Sequence, residues 1–179
     1  MTRLSRVVLI LGAALFSLAA CGTGPSAQSG QGQAAPALSS AEALFINRAG
    51  TSGLEEVTFA RLAETKAANP TVRSFATSLI ADLAVVNQQL ADLTRSKGLT
   101  PPSEMDDRHA ALYQQLQSLN GPAFDRAFLE GQLQELTMMI EAFQKEADSG
   151  TDPQVRGLAQ QHLPMLLRHL QAANAIAAL

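Results

Sequence analysis

Three histidines carry most of the chemistry available to this chain, and two of them stand close together near its C-terminus. His162 and His169 are seven residues apart on one face of a predicted helix, with Met165 between them in the sequence. Seven helical residues span about 10 Å, so the two imidazoles cannot both bind one ion directly. Histidine and thioether groups together suggest copper, because soft thioethers suit Cu(I). The alternative is that the histidines are partnered core residues and that methionine fills gaps in the packing.

Two adjacent glutamates near the middle of the first predicted helix offer carboxylate ligands. Of Glu55 and Glu56, one is predicted to point inward with a partner and the other to be solvated. If Glu56 is the inward one, it acts as a metal ligand or as a hydrogen-bond acceptor for His169. The candidate metal site, for copper or iron, therefore consists of four residues: Glu56, His162, Met165 and His169.

The usual catalytic patterns are missing from the sequence. A helical di-iron site needs Glu-x-x-His motifs, because residues three apart share a helix face, and no such motif occurs here. A glycine-rich phosphate loop and a Gly-x-Ser-x-Gly nucleophile motif are absent too. His109 falls in a segment whose pattern indicates exposure. We therefore predict no catalytic residues, no cofactor and no enzymatic activity, with bound copper or iron as the alternative.

Helical patterns extend over the chain from Leu38 to its end, and helix-capping residues and prolines divide them into five elements. Ser39 followed by Glu42 is a capping box, which predicts a helix start. Asn-Pro and Asp-Pro pairs predict further starts, since Asn and Asp cap a helix and proline suits its first position. Helix starts are predicted near residues 39, 70, 103, 122 and 153.

An internal repeat indicates how these helices are arranged. The octapeptide of residues 69–76 matches that of residues 152–159 at an offset of 83. Each half is thus predicted to be an antiparallel helical hairpin with a short turn. Residues 98–121 are long enough to run the length of a helix and contain a short helix of their own. The predicted fold is all-α: a ferritin-like four-helix bundle of two hairpins joined by this long crossover.

The N-terminal segment indicates export and lipid attachment. Arg3 and Arg6 precede an apolar run of 14 residues, which is typical of a signal peptide and short for a membrane span. The run ends in Leu-Ala-Ala followed by the single cysteine, Cys21, as at a bacterial lipoprotein cleavage site. A plain secretory signal with an unrelated cysteine is the alternative. We predict a signal peptide over residues 1–20, a lipidated Cys21 with a flexible linker over 21–38, and a helical domain over 39–179.

Charge and the anchor together define the expected surroundings of the protein. Without the signal peptide the chain has 11 basic and 16 acidic residues, a net charge of −5, which argues against a nucleic-acid partner. Acyl chains on Cys21 would hold the protein on a membrane. Gly22 follows where inner-membrane lipoproteins often carry aspartate, which favours the outer membrane. The predicted location is the periplasmic side of the bacterial cell envelope.

Four motifs occur in an order that is similar to a known family. They are Glu56-Val57, Asn69-Pro-x-Val-Arg-x-Phe-Ala76, Gly121-x-Ala-Phe-Asp125 and Leu163-Pro164-x-Leu-x-x-His169. Over roughly residues 41–173 the chain resembles the bacterial domain-of-unknown-function 4142 family. The resemblance implies a ferritin-like bundle in an exported or outer-membrane protein, and it supplies no activity.

The chain departs from this family at positions where members usually carry histidine. The family's Asp-His pair reads Asp82-Leu83 here, and a further histidine position holds Leu136. Only His169 is kept of those three. The first hypothesis is therefore a lipid-anchored, non-enzymatic structural, interaction or stress-related module with unknown protein partners. The second is a periplasmic protein that binds copper or iron at a reduced ferritin-like site.

Overall fold

The computed structural model describes residues 38–179, and five α-helices occupy most of this stretch. They are α1 (Ser40–Lys66), α2 (Pro70–Ser96), α3 (Asp107–Ser118), α4 (Gly121–Ser149) and α5 (Pro153–Ala177). The predicted signal peptide, Cys21 and all of the linker except Leu38 lie outside the described residues.

Side-chain caps explain where four of the five helices begin. Ser39 and Glu42 form the predicted capping box, in which the Ser39 backbone N–H donates to Glu42 Oε2 at 2.9 Å. Asn69 and Asp152 cap α2 and α5, as predicted. The start of α3 differs from its prediction near residue 103, because Asp106 rather than Ser103 caps the helix and accepts from the backbone N–H of His109.

The predicted repeat corresponds to two equivalent hairpins, α1–α2 and α4–α5. In the first, Arg73 Nη1 donates to the carbonyl of Ala67, the C-cap residue of α1, at 2.6 Å. In the second, Arg156 Nη1 donates to the carbonyl of Gly150, the C-cap residue of α4, at 2.8 Å. The two arginines are 83 residues apart (156 − 73), so the repeat encodes the same turn closure twice.

A carboxylate from the opposite hairpin completes each turn. Asp125 on α4 accepts two backbone N–H groups of the α1–α2 turn at 3.0 and 2.9 Å. Glu42 on α1 accepts two backbone N–H groups of the α4–α5 turn at 2.7 and 2.5 Å. These residues are again 83 apart (125 − 42). The hairpins are therefore related by an approximate internal two-fold axis, and each one caps the other.

The segment between α2 and α4 crosses from one end of the bundle to the other. Lys97, which follows α2, forms an ion pair with Asp152 at the start of α5. At the opposite end, Lys66 Nζ donates to the carbonyl of Leu119, just before α4. Helices α2 and α4 must therefore point the same way, and the segment with α3 returns along the bundle. The predicted all-α helical bundle is confirmed, while its description as ferritin-like stays a prediction.

The core is mainly apolar, with buried polar side chains at the turns, on α2 and α5, and in a group near its middle. All six phenylalanines among residues 38–179 are buried. The crossover lies close against α1, since a Cβ at Gly50 would lie 3.0 Å from Pro102 Cγ. This close approach brings α3 onto α1 and α4, where several buried polar side chains meet. Within residues 38–179, none of the helices is long and apolar enough to cross a membrane.

Candidate functional site

The two histidines of α5 each have a separate partner on α2. His162 Nε2 lies 2.6 Å from Gln89 Oε1, and His169 Nε2 lies 2.8 Å from Asp82 Oδ2. Burial lowers the pKa of His162, which favours its neutral form. Met165 is buried in the apolar core. In the described part of the chain, neither histidine belongs to a group of three or more imidazole and carboxylate ligands that converge.

Glu56 also has a partner other than the one predicted. Gln132 Nε2 on α4 donates to Glu56 Oε2, while Glu56 Oε1 has no hydrogen-bond partner, so the predicted contact with His169 is wrong. The expectation that one of Glu55 and Glu56 is solvated is also wrong, because both are buried. The structure thus does not assemble Glu56, His162, Met165 and His169 into one site.

Instead, α3 places a histidine in the interior. His109, which the sequence indicated to be exposed, is 1% exposed, and its ring stacks on Phe59 with centroids 6.0 Å apart. Asp106, the N-cap of α3, accepts from the His109 backbone N–H at 2.9 Å. Its Oδ1 also lies 2.7 Å from His109 Nδ1. The helix start and the ring are therefore held by the same carboxylate.

Glu55 joins this group from α1. Its Oε1 accepts from the backbone N–H of Asp106 at 2.7 Å, and its Oε2 lies 2.8 Å from His109 Nδ1. Since Nδ1 carries at most one proton, it cannot donate fully to both Oε2 of Glu55 and Oδ1 of Asp106. Apart from this shared Nδ1 proton, the buried Oε2 of Glu55 has no hydrogen-bond donor.

The Nε2 edge of the His109 ring meets α4. Nε2 lies 3.1 Å from Glu135 Oε2. Arg108 pairs with both oxygens of Glu135 and lies 2.9 Å from His109 Nε2. We name Glu55, Asp106, Arg108, His109 and Glu135 together the polar cluster. It joins α1, α3 and α4.

The carboxylates of the polar cluster control the charge of the ring. Burial by itself lowers the pKa of His109, but hydrogen bonds to Glu135, Glu55 and Asp106 raise it to about 10. Contacts with His109 and Arg108 outweigh burial at Glu135 and lower its pKa. With three acidic and two basic side chains, the cluster carries one surplus negative charge.

A cavity of about 450 Å³ opens beside the polar cluster. Its lining includes four residues of the polar cluster: Asp106, Arg108, His109 and Glu135. The remainder of its wall comes from α1 and α4: Asn47, Arg48, Ala49, Thr51, Ser52, Met138, Met139, Ala142 and Phe143. The cluster is thus accessible to a small solute, although the ring of His109 is itself buried.

The ligand atoms of three cluster residues converge closely enough to hold a metal ion. One oxygen each from Glu55 and Asp106 and one nitrogen of His109 lie within 4.8 Å of one another, the only such group among residues 38–179. The Oε2 of Glu55 supports the fit, because its only hydrogen-bond donor is the Nδ1 proton that it shares with Asp106, and a cation in place of that proton would bind both carboxylates. Two carboxylates and an imidazole suit a divalent transition-metal ion.

A sequence signal for this site exists in the spacing of Asp106 and His109. The two residues are three apart, the spacing that Glu-x-x-His motifs use to put two ligands on one helix face. The Glu-x-x-His motif does not match this pair, because the acidic residue here is an aspartate. Nothing in the sequence shows that Glu55 or Glu135 faces His109, since these residues are 54 and 26 positions away (109 − 55; 135 − 109).

Comparison with known proteins gives a family and a fold. Residues 27–176 match the family model DUF4142, described as a domain of unknown function. The crystal structure of a DUF305 fragment from Deinococcus radiodurans is similar, with a TM-score of 0.71 and 17% sequence identity. The similarity covers 80% of this chain and 99% of that one, and at this identity it concerns the fold alone. No curated protein matches the chain.

Proposed function

The chain belongs to the DUF4142 family, and we propose that this member is a cation-binding helical bundle tethered in the bacterial cell envelope. One observation carries the proposal: three ligand atoms, one each from Glu55, Asp106 and His109, lie within 4.8 Å of one another, and Asp106 and His109 line a cavity. This proposal keeps the metal-binding alternative drawn from the sequence and moves it to different residues.

The donor set suggests the class of cation. Carboxylate oxygens alone suit Mg²⁺ and Ca²⁺, whereas an imidazole ligand favours first-row transition metals. Divalent iron and copper, the two metals considered from the sequence, both accept such a set, and Cu²⁺ binds the more tightly in the general affinity order. Met138 and Met139 line the same cavity and offer softer thioether donors to copper.

The charge of the polar cluster also favours a cation. A divalent ion that replaces the Nδ1 proton of His109 adds one net positive charge and thereby neutralises the surplus negative charge. The ion would also bind Glu55 Oε2 directly, where that oxygen now shares one Nδ1 proton with Asp106. Because His109 holds its proton strongly, with a pKa near 10, we expect binding to release a proton and to weaken at lower pH.

The proposed setting follows from the N-terminal sequence. A lipidated Cys21, followed by the uncharged residues 22–37, would tether the bundle at the membrane. We propose a non-enzymatic role, in which the bundle binds a metal on the periplasmic side, with the outer membrane favoured. A structural or interaction role without metal is the competing proposal.

Metal content is the direct test. We would purify residues 22–179 from cells grown with iron and copper, measure bound metal by elemental analysis, and titrate the apo form with Co²⁺. The wild type should bind one equivalent. Asp106→Asn should weaken binding at least tenfold, and His109→Ala should abolish it, since each removes a ligand.

Two matched variants separate this site from the one predicted from sequence. His162→Ala and His169→Ala remove histidines of similar burial outside the polar cluster, and they should leave cation affinity unchanged. Loss of metal in His169→Ala but not in His109→Ala would refute the assignment. Absence of bound metal, together with a melting temperature unaffected by added Cu²⁺ or Fe²⁺, would support the purely structural role instead.

A further inference from the structure

We infer that Glu135 and Arg108 are positioning residues of the proposed cation site: they orient His109 so that Nδ1 faces the ligands Glu55 and Asp106. The inference rests on the proposed function and adds how the site is held ready. It assigns a role to two side chains that do not supply ligand atoms to the converging group.

The two nitrogens of His109 face different surroundings. Nδ1 lies 2.7 and 2.8 Å from oxygens of Asp106 and Glu55. Nε2 lies on the other side of the ring, 3.1 Å from Glu135 Oε2. A neutral imidazole that donates its N–H from Nε2 to Glu135 leaves the lone pair of Nδ1 free for a cation. Metal-binding histidines commonly use a carboxylate in this way, and it also makes the ligating nitrogen more basic.

Arg108 holds the carboxylate of Glu135 in place, and this carboxylate in turn orients the His109 ring. Its two Nη atoms pair with the two oxygens of Glu135, a forked arrangement that defines the plane of the carboxylate. Arg108 Nη2 also lies 2.9 Å from His109 Nε2. When Nε2 carries the proton, these two donors cannot bond to each other, so Glu135 is the acceptor that both share.

Packing also restricts the orientation of the His109 ring. Phe59 stacks on the imidazole at an interplanar angle of 22°, and the side chain of Glu135 is 3% exposed. The side chain of Arg108, by contrast, is 51% exposed and lines both the cavity described above and a second one of about 290 Å³ between α3 and α4. The buried carboxylate is therefore held from the solvent side by a half-exposed arginine.

Cobalt binding to residues 22–179 tests the inference. Glu135→Gln keeps the size of the side chain and removes the charge, and it should weaken Co²⁺ binding roughly 10- to 100-fold. The visible absorption spectrum of bound Co²⁺ should also change, because the imidazole is no longer held in one orientation. Glu130→Gln is the matched control, since Glu130 is an exposed carboxylate on the same helix.

Arg108→Lys provides a second variant that retains the positive charge but lacks the fork. It should weaken Co²⁺ binding in the same direction as Glu135→Gln, and it decides the question if Glu135→Gln does not fold. Wild-type affinity and an unchanged spectrum in these variants would overturn the positioning role while the cation site stands. If the wild type binds no Co²⁺, Zn²⁺ or Cu²⁺, the proposed function fails and the inference with it.

Discussion

His109 illustrates how the chemistry of one residue depends on partners that are distant in sequence. Its helix is short, and the three residues before it in the sequence are charged, which is a common pattern of an exposed segment. Glu55 and Glu135 make the interior position tolerable, because a buried ring that carries a charge needs opposite charges and hydrogen bonds. His162 and His169 show the reverse case, in which residues that resembled ligands are partnered core histidines.

Glu56 and Gln132 form a second buried polar contact, next to the polar cluster. Burial raises the pKa of Glu56 to about 8, and the hydrogen bond from Gln132 offsets this only in part. One oxygen of each side chain, Oε1 in both cases, is buried and has no hydrogen bond. Such oxygens reduce the stability of a fold, so this contact is an unfavourable feature of the core.

We predict that replacing one side chain of this contact destabilises the fold, whereas replacing both does not. Gln132→Met leaves Glu56 without its donor and should lower the free energy of unfolding by about 1–3 kcal/mol. Glu56→Met combined with Gln132→Met should restore or exceed wild-type stability, since both polar groups are gone and the volumes are similar. Urea denaturation measures both variants, with Gln134→Met at an exposed site as control. A double variant less stable than Gln132→Met would contradict the prediction.

At the scale of helices and turns, most boundaries could be predicted because they depend on neighbouring residues. Capping by Ser39, Asn69 and Asp152 and the prolines that follow the latter two act within one turn of helix. The predicted start of α3 is too early, since Ser103 and Asp106 are both of residue types that cap helices and only Asp106 does so here. The tertiary contact of the Asp106 backbone with Glu55 accompanies the later start.

Glu42 links two elements, since it caps α1 and also closes the turn between α4 and α5. Its Oε2 accepts from Ser39, and its Oε1 accepts from Thr151 and Asp152. Burial alone would raise its pKa, but these hydrogen bonds lower the pKa of Glu42 from 4.5 to about 2. The folded state thus favours the ionised carboxylate more than the unfolded state does.

The pH dependence of stability follows from this shift. A lowered folded-state pKa gives a stabilisation that is fully present above pH 4.5 and is lost as the pH falls toward 2. Glu42→Gln should therefore be clearly less stable than the wild type at pH 6, and the difference should shrink between pH 4.5 and 2. Denaturation curves across this range measure it, with Glu141→Gln at an exposed site as control. A difference that stays constant with pH would refute the role of the ionised form.

For the whole molecule, the polar cluster lies where the two halves differ. Under the offset of 83, Glu55 and Glu56 correspond to Met138 and Met139 (55 + 83; 56 + 83), so the second half lacks these carboxylates. His109 belongs to the crossover, which occurs once. The bundle thus consists of two equivalent hairpins, and the proposed site lies where the two halves of the chain differ.

The membrane anchor is the prediction that concerns the molecule as a whole. We expect the full-length protein to incorporate a fatty-acid analogue in a bacterial host and to fractionate with membranes, since acyl chains on Cys21 bind the lipid surface. Cys21→Ser should lose the label and release the bundle into the soluble periplasmic fraction. Labelling that persists in Cys21→Ser would exclude this cysteine as the attachment point. A wild type that takes up no label would favour the plain secretory signal.

The sequence by itself determined the all-helical class, four of the five helix starts and the duplicated hairpin. These features depend on caps, prolines and hydrophobic spacing, whose effects reach over a few residues. Only the tertiary structure decided which polar side chains meet. Glu55, His109 and Glu135 come from three helices, and their proximity depends on how the crossover packs against α1 and α4. Packing of that kind is a property of distant contacts, which local patterns do not encode.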